Sequence, residues 1–322
     1  MQGKVTTEAA MAAVYVGIDV CKERLDVHLH PLGAHFSVAN DAGGWRGLLR
    51  RLAAHPVERV VMEPTSKYHR AAHRHLAAAG IAVALVNPHR ARLFAQALGA
   101  LAKTDRIDAR ILAIAGERLQ PGPTAPPTAQ EEALEELAGA RSAALAERTA
   151  VANRLKTTTS AFVRRELAAR VRSLDAHVAR LEAKAAQMIA ADARLARQAA
   201  IIRSIPGMGP VSVLAILTGL KEIGRLSGKQ AAALAGLAPV ADDSGPRHGQ
   251  RRIRGGRADL RKALYMAAVS ASQWNPDLKP FYQRLRANGK STKASFVAVA
   301  RKLVVLANTL VTENRTWTPA RP

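Results

Sequence analysis

The sequence predicts an α/β amino-terminal part followed by a helical remainder, an α/β plus α fold class. Three observations carry this. Short β-like runs alternate with helix-like stretches over residues 14–116, a proline-rich break at 121–127 ends the alternation, and residues 130–197 hold no proline and one glycine.

Taken in order, residues 14–18 (Val-Tyr-Val-Gly-Ile) form the first strand, and residues 25–30 alternate apolar with polar as a half-exposed second strand does. Residues 35–39 offer a third. Residues 45–54 read as a helix, 59–62 as a buried strand, 68–79 as a helix closed by Gly80, and 81–86 as another strand. Three meandering strands followed by strand, helix and strand is the order of a ribonuclease-H-like sheet. Residues 121–127 (Pro-Gly-Pro-Thr-Ala-Pro-Pro) cannot continue a helix and mark a linker. Beyond them, Leu167, Val171, Leu174, Val178, Leu181, Ala185 and Met188 are spaced alternately by four and three, the a/d seam of a coiled coil. Such a seam zips two helices of one chain or of two. Glu131, Glu132, Glu135 and Glu136 sit at the expected start of the first long helix, where carboxylates favour the positive dipole end. From Ile201 onward, Gly- and Arg-rich turns separate short apolar helices, which marks a third domain. The expected division is 1–120, 121–200 and 201–322.

Charge narrows the function. The 322 residues hold 48 Lys and Arg against 25 Asp and Glu, a net charge of +23, so the chain should seek polyanions. With 48% hydrophobic residues it is no disordered basic tail. Aromatics are 4%, a poor supply for base-stacking platforms, so binding should rest on Arg and Lys meeting phosphates. One cysteine, Cys21, excludes an intramolecular disulfide framework and fits a reducing compartment. Neither a signal peptide nor a run of 18 apolar residues is found, which points to a cytoplasmic protein with no membrane partner.

Two constellations could carry chemistry. Asp19 closes the first strand, Glu63 closes residues 59–62, and Asp105 and Asp108 stand one helical turn apart in Lys103-Thr-Asp-Arg-Ile-Asp108. Four carboxylates suit Mg²⁺ or Mn²⁺, two of which would clamp the attacking and leaving oxygens of a phosphoryl transfer; the plain alternative is a set of caps and solvated acids. Lys103 and Arg106, interleaved with these acids, are candidates for nucleic-acid contact. The second constellation is Ser244-Gly245 followed by Arg247, Arg251, Arg252, Arg254, Arg257, Arg261 and Lys262, with Asp259 as the one acid. A hydroxyl there could reach a backbone phosphate while guanidinium forks stabilise the charge; the alternative is a turn serine before a DNA-binding arm. Pro206-Gly-Met-Gly-Pro210 resembles the hairpin of a helix-hairpin-helix element, in which Gly207 and Gly209 expose backbone N–H groups to phosphate. An interhelical turn explains it equally well. Gly219 and Gly224 have P-loop spacing, but Arg225-Leu226 follows where Lys-Ser/Thr is needed. His69 and His73 lack a third metal ligand and read as a surface face.

The ordered motifs resemble the DEDD transposases of the insertion-sequence 110 family, relatives of the Piv-type DNA invertases. The resemblance covers nearly the whole chain. It is carried by Gly17-Ile-Asp-Val-Cys-Lys-Glu-Arg-Leu-Asp-Val27, Met62-Glu-Pro-Thr65, Val86-Asn-Pro88, Leu101-Ala-Lys-Thr-Asp-Arg-Ile-Asp-Ala109, Ser204-Ile-Pro-Gly-Met-Gly-Pro210, Ala232-Ala-Leu-Ala-Gly-Leu-Ala-Pro239, Ser244-Gly245, Ile253-Arg-Gly-Gly-Arg-Ala258, Leu264-Tyr-Met-Ala-Ala268 and Arg301-Lys-Leu303. The resemblance implies that Asp19, Glu63, Asp105 and Asp108 hold metal in a RuvC-like domain, that a coiled coil follows, and that Ser244 is the nucleophile of a transposase domain. It further implies a phosphoserine intermediate with Mg²⁺ or Mn²⁺ assistance and a structured non-coding guide RNA. Donor and target double-stranded DNA, and a homodimer pairing into a homotetramer, complete the expectation. The chain departs from the family in Glu63-Pro-Thr-Ser66, where Glu-Ala-Thr-Gly is usual, in Ala152 for a glutamate, and in Cys21 for a serine, a swap expected to leave metal binding untouched. The competing readings are a RuvC-like hydrolytic nuclease such as a junction resolvase, and a basic nucleic-acid-binding protein without catalysis.

Overall fold

The expected β-branched runs form strands. The computed structural model describes residues 13–64, 66–100, 102, 104–245, 247–249 and 251–319, with the side chains of Arg247 and His248 outside that description. Residues 1–128 and 129–322 each make a compact unit.

In the first unit, β1 (Val14–Val20), β2 (Arg24–His30), β3 (Ala34–Ala39), β4 (Val57–Met62) and β5 (Val83–Leu85) form a sheet in the order β3-β2-β1-β4-β5. The first three strands pair antiparallel, while β4 pairs parallel with β1 and β5. The period of two sorts the side chains: Val14, Val16, Ile18 and Val20 of β1 enter a core with Leu48 and Leu52 of α1 (Ala42–Leu52) and with Ala72 and Leu76 of α2 (His69–Ala78). The opposite face carries α4 (Asp105–Leu119), which packs on β1, β2 and β4 and follows α3 (Pro88–Ala97).

Gly17 sets how α4 crosses the sheet. A Cβ at Gly17 would lie 1.9 Å from the carbonyl oxygen of Ala109, so only hydrogen permits this approach. Gly116, one end of the same helix, sits against Val61 and Tyr15. α4 therefore runs against the direction of β1, and its amino end lies over the strand's carboxyl end.

The proline-rich stretch is a strap on the first unit. Thr124 N–H donates to the Val83 carbonyl at 2.8 Å, its hydroxyl accepts from Leu85 N–H at 3.2 Å, and Arg59 donates to the Pro121 carbonyl. His73 Nε2 lies 2.8 Å from the Thr124 carbonyl. This corrects the surface reading of His69 and His73: both are buried, because the strap and the sheet cover α2.

The second unit is mostly helical. α5 (Ala129–Thr157) and α6 (Ala161–Ala191) lie antiparallel, tied by Arg141–Glu182 at 2.6 Å, Arg148–Asp175 at 2.5 Å and Arg170–Glu147 at 2.5 Å. The seam positions of α6 are its inward ones, with Leu174, Val178 and Ala185 buried, so α5 of the same chain takes up that face. A core built by α7 (Ala193–Arg203), α8 (Pro210–Gly219), α9 (Gly228–Leu234), α10 (Ala258–Trp274), α11 (Leu278–Ala287) and α12 (Thr292–Thr312) follows. α12 is long and apolar enough to cross a membrane, yet its apolar face meets α7, α9, α10 and α11, with Val299, Leu303, Val304 and Ala307 fully buried. Between α9 and α10 the chain makes two nested ribbons: β6 (Pro239–Val240) pairs with β9 (Arg252–Ile253), and inside them β7 (Asp243–Ser244) pairs with β8 (Arg247–His248).

Candidate functional site

Residues opposite one another across antiparallel strands share a sheet face. Tyr15, Gly17 and Asp19 of β1 face α4, and their partners on β2 are His30, His28 and Asp26. From Gly17 to Asp19 the strand advances about 6 Å, and from Ala109 back to Asp105 the helix covers about the same distance. The contact at Gly17 thus delivers Asp105 and Asp108 to Asp19. Thr104 caps α4 by accepting from Ile107 N–H at 3.3 Å, and the positive end of the helix dipole offsets part of the charge of the two aspartates in the first turn. Glu63 follows the last residue of β4, the parallel neighbour of β1.

Three of the carboxylates act on the fourth, Asp19. The Asp19 carboxyl is pushed up to about 6, first by burial and then by the charges of Asp105, Asp108 and Glu63. Ligand atoms of Asp19, Cys21 and Asp105 lie within 4.8 Å of one another. The Cys21 thiol is raised by burial and by Asp19 and Asp105. The Cys21 side chain therefore stands beside the acids, where its sulfur is near enough to share a metal ion with Asp19 and Asp105. Sequence reasoning could not place the sulfur, because Cys21 follows β1 in a turn whose direction alternation does not fix.

Sequence reasoning also passed over Arg24 and Asp26. Arg24 Nη2 donates to Asp105 at 2.5 Å while its Nε donates to Asp26 at 2.7 Å. Asp26 is buried and accepts at 2.6 Å from the Ser37 hydroxyl on β3. Arg24 thus spans the sheet and α4 as the counter-charge to the cluster. Its signal was the alternation of Arg24 and Asp26, which places a base and an acid on the face of Asp19. His28 beside them is lowered to about 4, chiefly by burial and then by Arg110, so it is neutral near pH 7. Arg106 lies in α4 and is half of the Lys103/Arg106 pair; Lys103 falls outside the described residues.

Ser244 belongs to the second unit. It is exposed at the turn of the inner ribbon, in register with Arg247, and Gly245 takes a left-handed φ of +55° there. Arg251, Arg252 and Arg254 are exposed along the ribbon, Arg251 lying 4.0 Å from Asp243. Arg257 and Arg261 do something else. The Arg257 guanidinium forks onto Glu222 at 2.8 and 2.6 Å and also donates to the Gly219 carbonyl, which holds the Glu222 carboxyl below its usual range. Arg261 donates to the Gly255 carbonyl at 2.6 Å. Both grip the base of the ribbons, where Gly236 and Gly256 approach so closely that a Cβ on Gly256 would lie 2.2 Å from Gly236 N.

The two glycines of the candidate hairpin are unlike. Gly207 has a φ of +99° and packs on Ala271 of α10, where a Cβ would meet backbone at 2.7 Å, so it makes the turn between α7 and α8. Gly209 caps α8 with nothing within 4 Å of where its Cβ would be.

Two matches with known families accompany this geometry. Residues 16–162 match a family model described as a transposase, and residues 199–283 match one described as a transposase of the IS116/IS110/IS902 family. The pilin gene-inverting protein of Moraxella bovis is 28% identical over 325 residues, covering 95% of this chain and 98% of the relative. Its counterpart from Moraxella lacunata is also 28% identical over 325 residues. The 44.8 kDa insertion-element IS116 protein of Streptomyces clavuligerus is 35% identical over 132 residues, 39% of this chain and 32% of that one.

Proposed function

The chain belongs to the IS110 family of transposases, and from that premise we propose that it is an RNA-guided DNA recombinase of an insertion sequence, with Ser244 as nucleophile and Asp19, Glu63, Asp105 and Asp108 as metal ligands. The observation that carries this reading is the convergence of Asp105, Asp108 and Glu63 on Asp19, whose carboxyl is pushed up to about 6 first by burial and then by those three charges. Arg24 offsets part of this charge, and a bound cation would offset the rest. The strand order, three antiparallel strands beside two parallel ones, supports a RuvC-like assignment for the first unit.

Oxygen donors on a rigid face fit Mg²⁺ or Mn²⁺, with the Cys21 sulfur as a softer neighbour. When bound, such ions stabilise negative charge developing on phosphate and leaving oxygens. The remaining steps belong to the side chains. The Ser244 hydroxyl oxygen bonds to a DNA phosphorus as the bond from phosphorus to the 3′ oxygen breaks. The serine proton ends on that oxygen, leaving a phosphoserine and a free 3′-hydroxyl. Arg251, Arg252 and Arg254 hold the flanking phosphates, while Arg257 and Arg261 keep the ribbon aimed. In this reading a guide RNA from the same element pairs with donor and target DNA. Copies of the chain form a dimer and then a tetramer, in which the serine of one protomer serves the acids of another.

The test is Ser244→Ala. The parent should form a covalent protein–DNA adduct that survives denaturing electrophoresis, and the variant should form none while melting at the same temperature and binding DNA as tightly. A variant that still cuts at the parental rate assigns the attack to water and favours the hydrolytic nuclease.

A further inference from the structure

Residues 278–302, which span α11, the following turn and the first half of α12, contain Lys279, Arg284, Arg286, Lys290, Lys293, Arg301 and Lys302 and no acidic residue. All but Arg301 are exposed. Elsewhere in this unit six cations, Arg141, Arg148, Arg170, Arg194, Lys221 and Arg257, each meet a carboxylate. Among the described residues, none of the seven in α11 and α12 does. Arg284 and Lys302 lie over the same Phe281 ring, at 5.6 and 4.5 Å from its centroid. Two like charges sharing one ring repel, and the fold bears that cost without an internal counter-ion.

The scaffold beneath is fixed. Tyr282 stacks on Phe296 at 5.0 Å, Tyr265 meets Phe296 edge-on at 5.7 Å, and α12 is locked by Asn308, which donates to the Leu226 carbonyl and accepts from Gly224 N–H. Lys279, Gln283 and Arg286 recur at helical spacing along one face of α11. The aromatic rings are half-buried below the cations, which suits a surface that meets phosphates rather than one that inserts into lipid.

We propose that the outer face of α11 and the start of α12 is a second, sequence-independent binding surface for the backbone of duplex DNA, separate from the serine ribbon. It rests on the recombinase reading for its choice of polyanion. It would let the unit hold a flanking duplex while the ribbon works at the cut.

The test uses the full chain with Lys279→Gln, Arg284→Gln and Arg286→Gln combined, and Lys302→Gln as a single variant. Fluorescence anisotropy with two unrelated DNA duplexes should show an equal loss for both, on the order of tenfold or more for the triple variant at low salt. The slope of log affinity against log salt should fall by about 2 to 3, near 0.9 for each lost phosphate contact. The melting temperature should not move, and Lys302→Gln should give a smaller loss of the same kind. Parental affinity and slope in a correctly folded triple variant would overturn the inference. So would a loss confined to an RNA duplex or to phosphatidylserine vesicles. If the parent chain binds no DNA duplex, it is the recombinase reading that falls.

Discussion

The acidic face of the first unit and the serine ribbon of the second are built on opposite principles. The acids are placed by packing: α4 lies on β1 at the one position where a glycine lets backbone meet backbone, and the carboxylates go where that contact sends them. The ribbon is made of two-residue strands, with Pro239, Val240, Asp243, Ser244 and Arg252 exposed, and is fixed at its root by Gly236, Gly256 and the Arg257–Glu222 fork. One holds like charges together against their repulsion. The other holds a hydroxyl out into solvent. On the proposed reading the difference follows from the chemistry: a metal site needs donors fixed in advance, whereas a nucleophile that must enter a substrate needs reach.

The contrast breaks most visibly at Gly17. A Gly17→Val chain places carbon where the Ala109 carbonyl oxygen stands, so the first unit should lose about 3 kcal/mol or fail to fold. Thermal melting followed by circular dichroism would show it, and Gly245→Ala on the ribbon should cost less, about 1 kcal/mol for its left-handed φ of +55°, since its added carbon meets no clash. An unchanged melt for Gly17→Val would mean that α4 is not seated by this contact.

Asp19 sharpens the comparison through pH. Its folded value near 6 exceeds the ordinary 3.8, so the folded chain holds the extra proton between these values and stability falls as pH rises through that window. Asp19→Asn should therefore make the metal-free protein more stable than the parent above pH 6, with the difference vanishing below about pH 3.8. Melting curves across that range decide the point; a variant less stable than its parent at pH 8 would show that burial and the neighbouring acids do not disfavour the Asp19 charge.

The smallest effect is expected at the ribbon's root. Glu222→Gln breaks a half-exposed ion pair worth about 1 kcal/mol. It should slow adduct formation by Ser244 while leaving the unit folded, because Arg257 then loses the partner that orients it. Equal rates in parent and variant would reduce the pair to a surface contact.

Much of this architecture was legible in the chain. Alternation of Val14, Val16 and Ile18 marked β1 and its inward face, and the acids at strand ends were visible because charged residues rarely close an apolar run without reason. The proline cluster at 121–127 announced a break, yet it forms a strap beside β5, because backbone groups at Thr124 find partners that no local pattern reveals. His69 and His73 share a helix face, as their spacing required, but whether that face meets solvent depends on what lies over it. The arginines from 247 to 261 looked alike; Glu222, far off in sequence, separates Arg257 from the rest.

By itself, the sequence determined the strands and flanking helices of the first unit, their order, the candidate acids and serine, and the excess of positive charge, since propensity, periodicity and composition are local or additive properties. Only the tertiary structure decided that α4 crosses at Gly17, that Arg24 bridges Asp26 and Asp105, that the seam of α6 closes on α5 of the same chain, and that the cations of α11 and α12 meet an aromatic ring and a carbonyl but, among the described residues, no carboxylate. Each of these depends on which distant surfaces meet, and contact energies between residues far apart in the chain are set by packing rather than by neighbours in sequence.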